Sequence, residues 1–217
     1  MTPGLRERRK QNTRRDISAI AMEMFAAHGF DRVTISQVAE AAGVSKMTVT
    51  NYFARKEDLV FDQAEEIIRD LADAVAQRAR GESLLAAVRR DYDERLATGD
   101  FTLGPPTATF ARMVDDSHVL TSRWLEIADL REQALGDAIA AETGVDDPQQ
   151  RIVAAQIASV PRVLFKESMS RVLTGQPRDE IRQALSTAAS RAFDLLEPSL
   201  RDYCIRTVAE TTNLGKP

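Results

Sequence analysis

The chain has 217 residues, 43% hydrophobic and 29% charged, the make-up of an ordinary soluble globular protein with room for a substantial core. No stretch approaches the ~18 consecutive apolar residues of a membrane-spanning helix, and a single cysteine, Cys204, excludes an internal disulfide and a thiolate zinc cluster. The net charge of −4 hides a split, with +3 on residues 1–58 and −7 on the rest, as expected of a small polyanion-binding head on an acidic body.

The first residues, "MTPGLRERRKQNTRRD", are basic, and no apolar stretch follows them. A secretory signal is therefore not expected, and a cytoplasmic address is. Residues 1–11 read as a basic arm with two open readings: a segment that tracks along DNA, or a solvated tail. Strand signals are nearly absent further on, and helical periodicity predicts an all-α fold of about nine helices.

The first helix spans 12–28, with Ile17, Ile20, Ala21, Met24 and Phe25 on one stripe and Gly29 as its stop. Thr34 with Gln37 three residues on is a capping-box signature for a short second helix that Gly43 ends. Ser45 is a good N-cap for a third, running to Tyr52 or Phe53. A fourth begins near Arg55 and continues to about Ala79. Five more follow at roughly 82–97, 107–114, 120–142, 148–174 and 178–196, with Asp147-Pro148 as an N-cap and first helical position and Pro198 as a stop. Pro161 lies inside the eighth and predicts a bend.

Two helices of about eight residues joined by "AGV" make a helix-turn-helix arrangement. The third helix, "SKMTVTNYF", buries Val49 and Phe53 on one face. Lys46, Met47, Thr48, Thr50, Asn51 and Tyr52 are spread over the rest. Short hydroxyls and a tyrosine suit phosphates, asparagine suits an adenine edge, lysine suits guanine or phosphate, and methyl groups pack on thymine. Blander readings stand beside these. Thr34 is first a capping residue, Tyr52 has a second reading as a half-buried packing tyrosine, and Met47 one as a surface methionine.

Residues 21–60, "AMEMFAAHGFDRVTISQVAEAAGVSKMTVTNYFARKEDLV", resemble the N-terminal domain of TetR-family transcriptional regulators. The shared marks include Phe25, Gly29, Thr34, Ala39, Gly43, Ser45, Thr48, Tyr52, Phe53, Lys56 and Leu59 in that spacing. The resemblance implies a DNA-binding domain over 12–58 and a helical ligand-binding and dimerisation domain over 59–217. It also implies a homodimeric repressor on a double-stranded operator, released by a small-molecule effector. By position, Thr34, Thr48, Tyr52 and Lys56 then touch phosphate, and Lys46, Met47, Thr50 and Asn51 face bases. Two departures stand out. Thr50 replaces a frequent tyrosine, and Arg55 replaces a serine that caps the fourth helix, which would leave that helix's N–H groups open to phosphate.

In the body, an effector cavity needs apolar walls with a few polar groups. The candidates are Phe110, Met113, Trp124, Phe165 and Met169, with Arg162 as a charge partner; Tyr92, His118, Arg123 and Lys166 are weaker ones. Each aromatic or methionine is also an ordinary core residue in the competing reading. The bend at Pro161 is expected to border the cavity. Alanines recur in the last two long helices, 148–174 and 178–196, which favours a symmetric four-helix dimer interface over mere cover for the body. No nucleophile elbow, phosphate loop or paired-carboxylate motif appears, so no enzyme and no cofactor are expected. Two distant histidines make a poor metal site, and Cys204 is an inert thiol or a redox sensor.

Overall fold

A computed structural model describes residues 5–145 and 147–206. The expected all-α architecture holds: among these residues there are nine α-helices, two short 3-10 turns and no strand. The helices are α1 (Leu5–His28), α2 (Ile35–Ala41), α3 (Lys46–Tyr52), α4 (Ala64–Ala76) and α5 (Leu84–Thr98). They continue as α6 (Ala108–Asp115), α7 (His118–Thr143), α8 (Pro148–Leu173) and α9 (Arg178–Leu200).

Side-chain caps set most of the helix starts. Thr34, Ser45, Ser83, Thr107 and Ser117 each accept a hydrogen bond from the backbone N–H three residues on, and Asp147 caps α8 ahead of Pro148. Such a cap contributes about 1 kcal/mol.

Three boundaries differ from expectation. Helix α1 begins at Leu5, so part of the basic arm is helical. From there to Asn12 the chain is built of strong helix formers with no breaker. The rest of the arm, residues 1–4, lies outside the described residues. The fourth helix does not begin near Arg55. A four-residue 3-10 turn (Lys56–Leu59) comes first, and α4 starts at Ala64. Arg14 donates to the carbonyl of Asp62, which removes that acceptor from a continuous helical ladder. Pro198 does not end α9, which runs to a buried Leu200. Near a C-terminus a proline removes only one late hydrogen bond, and burial of Leu200 offsets that loss.

Two apolar clusters organise the packing. The lower one starts in the first three helices with Ile17, Phe25, Val38, Val49 and Phe53. It runs without a break through Val60 and Phe61 into Trp124 and Ile127 of α7 and Phe165 of α8. The upper one joins Leu71, Val88, Leu135, Ile157, Leu185 and Phe193 from the long body helices. Helix α4 lies along α7, α7 along α8 and α8 along α9, with α5 packed against α9 and α4. The helix-turn-helix therefore shares its core with the base of the body.

Charges buried in the body are paired. Asp70 on α4 accepts from Arg131 of α7 at 2.7 Å and from Arg95 of α5 at 2.5 Å. Arg95 also holds Asp100 at 2.8 Å and the hydroxyl of Thr102. At the far end Arg78 is fully buried and donates to Glu142 and to the carbonyls of Val75, Glu82 and Cys204. Burial and the adjacent Glu142 carboxylate push the Cys204 thiol up, away from the reactive thiolate. Among the described residues no helix is long and apolar enough to cross a membrane.

Candidate functional site

Helices α2 and α3 meet at a corner that only glycine forms cheaply. Gly43 has φ +65°, and beyond it the Val44 N–H returns to the Ala39 carbonyl at 2.9 Å. Val38 and Ala39 from α2 and Val49 and Phe53 from α3 are buried beneath the corner. With Val49 and Phe53 turned inward, helical geometry puts Lys46, Met47, Thr50 and Asn51 on the exposed face of α3. Met47 is 69% exposed, an unusual setting for a large apolar side chain.

The expected phosphate-side residues frame that face. The Thr34 hydroxyl accepts from the Gln37 N–H at 3.3 Å and donates to the Gln37 side chain at 2.9 Å, so its capping role is fully in place. Thr48 shares a 2.8 Å hydroxyl–hydroxyl bond with Ser45, and Thr50 donates to the Met47 carbonyl at 3.1 Å. Tyr52 is half-buried at the end of α3.

Lys56 is differently occupied. Its ammonium donates to the Phe30 carbonyl and lies 4.1 Å from the centre of the Phe30 ring, and burial pushes its pKa down. The N-terminus at Arg55 lacks a side-chain cap, as expected, but it opens the short 3-10 turn and not the fourth helix, and Asp58 accepts from the Arg55 N–H at 3.0 Å. The Arg55 guanidinium turns instead to Glu126 of α7 at 2.7 Å.

One residue missed in the sequence binds this unit together. Arg14 of α1 donates to the Tyr52 carbonyl at 2.6 Å and to the Asp62 carbonyl at 3.0 Å, and its guanidinium lies 4.5 Å from the centre of the Phe53 ring. It thus joins the end of α3 to the segment that enters α4. In the sequence it is one of six basic residues within the first sixteen, and nothing in that run separates it from its neighbours.

A cavity of about 160 Å³ lies directly above, between head and body. Ser18 and Met22 of α1 form one wall. Phe110, Trp124 and Phe165 form others, and the 102–106 loop closes a side through Thr102, Gly104 and Pro106. Trp124 and Phe165 stack with centres 3.8 Å apart, and Phe61 lies 6.1 Å from Trp124. Gly104 allows the loop to approach: a Cβ there would collide with the buried Ser168 hydroxyl.

Three of the six expected cavity residues, Phe110, Trp124 and Phe165, are therefore together. Met113 lines a separate groove between α1 and α6, and Met169 packs half-buried against the lower cluster. Arg162 is not a wall residue. It sits three positions before Phe165, about 60° away around α8, and is half-buried at the helix edge. Pro161 does not line this cavity: it is buried within α8, which continues past it, and the cavity is reached one turn later through Phe165. Tyr92 packs on Phe193 in the upper cluster, His118 is exposed, and Arg123 pairs with Asp58 at 2.8 Å. Sequence reasoning passed over Phe61, Asp62 and Gln63 because they read as the interior of a continuous helix.

Comparisons with known proteins agree with this geometry. Residues 17–62 match the model of the bacterial regulatory proteins of the tetR family. Over 206 residues the chain is 31% identical to the HTH-type transcriptional regulator TcmR of Streptomyces glaucescens, covering 91% of this chain and 88% of that protein. It is 23% identical over 190 residues to the transcriptional repressor AcnR of Corynebacterium glutamicum, covering 88% and 93% of the two. In fold it is similar to a TetR-family regulator from Syntrophomonas wolfei, with a TM-score of 0.54 and 15% identity over 85% of this chain and 96% of that one. The chain belongs to the TetR family and is a DNA-binding transcriptional regulator.

Proposed function

We propose that the protein is a homodimeric repressor that leaves a palindromic operator when a small molecule enters the cavity between head and body. In this reading Lys46, Met47, Thr50 and Asn51 face base edges in the major groove. Thr34, Thr48 and Tyr52 meet phosphates on either side. Lys56 joins them with two of its three N–H donors, the third being held by Phe30. The similarity to AcnR, named a repressor, supports the sign of regulation.

The observation that carries the proposal is the cavity's position. Ser18 and Met22 belong to the same helix as Arg14, and Asp62 is both a wall residue and an Arg14 partner. A molecule that enlarges the cavity would push α1 or the 60–63 segment, and Arg14 would pass the shift to the end of α3. By linkage, whatever that shift costs in operator affinity is lost equally in effector affinity when DNA is bound. The presence of a cavity favours this reading over a ligand-independent DNA-binding protein with a solid body.

Dimerisation would use the outer faces of α8 and α9. Ile152 and Val163 on α8 are each 57% exposed and Leu195 on α9 is 81% exposed, apolar surface that a symmetry mate would cover. The test is selection of genomic fragments by the purified protein, then titration of a retained fragment with candidate effectors. Release by a compound that also protects the protein against heat supports the proposal. Retention of DNA under every compound that binds the cavity would leave only the ligand-independent reading.

A further inference from the structure

The basic run at the start of α1 carries charge that the described residues do not absorb. From Arg8 to Arg15 there are five cations and no carboxylate. Arg14 is engaged by the carbonyls of Tyr52 and Asp62. Arg8, Arg9 and Lys10 are exposed and make no hydrogen bond or ion pair with a described residue. Arginines at the surface of the body behave differently: Arg90 holds Glu82, Arg171 holds Glu167 and Arg182 holds Asp179. Three consecutive cations without a counter-charge repel one another, and a polyanion relieves that repulsion.

Position identifies the polyanion. Core packing of α1 starts at Ile17, and Arg14 closes on the end of α3 with its guanidinium against the Phe53 ring. Before that contact the helix leaves the head, and every residue from 8 to 12 is exposed. Lys10 stands four residues before Arg14, so it lies on the same side of α1, one turn beyond the contact with Tyr52. Arg8 is displaced from Arg14 by about 9 Å along the axis, at ~1.5 Å per residue. The major groove is ~12 Å wide. With α3 inside it, an arm of that reach arrives at the phosphates along the groove's edge. The arm is already helical and continuous with the rest of α1, so contact costs little ordering entropy.

We infer that Arg8, Arg9 and Lys10 form a second DNA contact, which grips the phosphates bordering the groove read by α3 and reads no sequence itself. The inference rests on the proposed seating of α3 in that groove. Cations beside a phosphate row supply affinity and register but no base discrimination.

The full-length triple variant Arg8→Gln, Arg9→Gln, Lys10→Gln tests it. Affinity is measured for a selected genomic fragment and for a scrambled duplex of equal length, between about 50 and 200 mM salt. Thermal melting should be unchanged, because the three side chains hold nothing in the fold. Affinity should fall on both duplexes in the same proportion. Each lost phosphate contact should remove a factor of about 3.5 from the drop in affinity across that salt range, so one contact per protomer of a dimer removes about twelvefold. The inference is overturned if the salt dependence matches that of the parent protein, which makes the run a solvated tail. It is equally overturned if only the selected fragment loses affinity, which makes the run a base reader. Should the triple variant melt early, Lys10→Gln alone decides: a shallower salt dependence on both duplexes supports the inference and an unchanged one overturns it.

Failure of the underlying reading looks different. If Asn51→Ala leaves discrimination between the two duplexes intact while the triple variant shows the shallower salt dependence, α3 loses its base-reading role and the phosphate contact stands. If Asn51→Ala weakens discrimination and the triple variant keeps the parent's salt dependence, the seating of α3 stands and the second contact falls.

Discussion

In the head, the side chains of α2 and α3 that face inward are apolar and nearly all the polar ones face out. In the body, Arg78, Arg95 and Arg131 lie inside and each has a carboxylate. The two regions thus resolve the cost of polar groups in opposite ways. Val38, Val49 and Phe53 hold the corner by burial, and Thr34 and Ser45 finish its helix ends with one hydroxyl each. Lys46 and Asn51 are left on the outside, where a duplex can use them. The body's buried charges are already used by each other, and its net charge of −7 leaves an acidic surface with little to offer a polyanion.

The largest effects should come from breaking either interior. Phe53→Ala should cost about 3–5 kcal/mol, as deletion of a buried aromatic does. Because Phe53 belongs to the cluster that contains Trp124 and Phe165, urea unfolding followed by Trp124 fluorescence should report that loss. A head that melts alone, with the Trp124 signal unchanged, would show that the shared core does not couple the two regions. Asp70→Ala should be comparably severe, about 3–5 kcal/mol, because it strands the buried Arg131 guanidinium and removes one of the carboxylates that hold Arg95. Replacing Asp70, Arg95 and Arg131 together with apolar residues should cost much less than Asp70→Ala alone, and a larger loss would contradict the pairing account.

How much of this was legible beforehand follows the same division. The helix-turn-helix could be read because each of its features is local: a capping box at Thr34, a turn glycine at Gly43, a second cap at Ser45 and an i, i+4 pair in Val49 and Phe53. The start of α4 could not. The break there depends on Arg14, 48 residues away, taking the Asp62 carbonyl. The buried ion cluster was equally hidden, since Asp70 and Arg131 are 61 positions apart and look like solvated charges on amphipathic helices. Three of the six expected wall residues, Phe110, Trp124 and Phe165, line this cavity, since large aromatic side chains are mostly buried. Asp62 and Gln63 were missed because they read as the interior of a continuous helix, whereas they stand in the segment before α4 begins at Ala64.

Smaller effects sharpen the contrast at the DNA face. Asn51→Ala should leave stability almost unchanged and reduce discrimination at one base pair by about 1–3 kcal/mol, measured as relative affinities for single-substituted operators. Equal loss on every sequence would remove Asn51 from the base-reading set. Acid should loosen the corner where Arg95 meets the 100–103 loop. Although burial pushes the Asp100 carboxyl up, hydrogen bonds from Thr102 and Arg95 hold it below its ordinary value. Its contribution is therefore complete above the unfolded pKa and is lost as pH falls through the folded one. Asp100→Asn should accordingly destabilise at neutral pH and match the parent protein in strong acid. Least of all should come from Glu126→Gln, which frees Arg55 from an exposed pair. No stability change is expected, while affinity for all DNA sequences should rise slightly if Arg55 then reaches phosphate.

The central claim is that the outward face of α3 meets duplex DNA twice, from two copies of the chain. Footprinting on a fragment selected from genomic DNA tests this most directly. Two protected half-sites related by a dyad should appear, with centres one helical turn or a multiple of it apart, about 34–36 Å per turn, and Asn51→Ala should alter both halves identically. A single asymmetric footprint, or a folded dimer that retains no fragment at all, would contradict it.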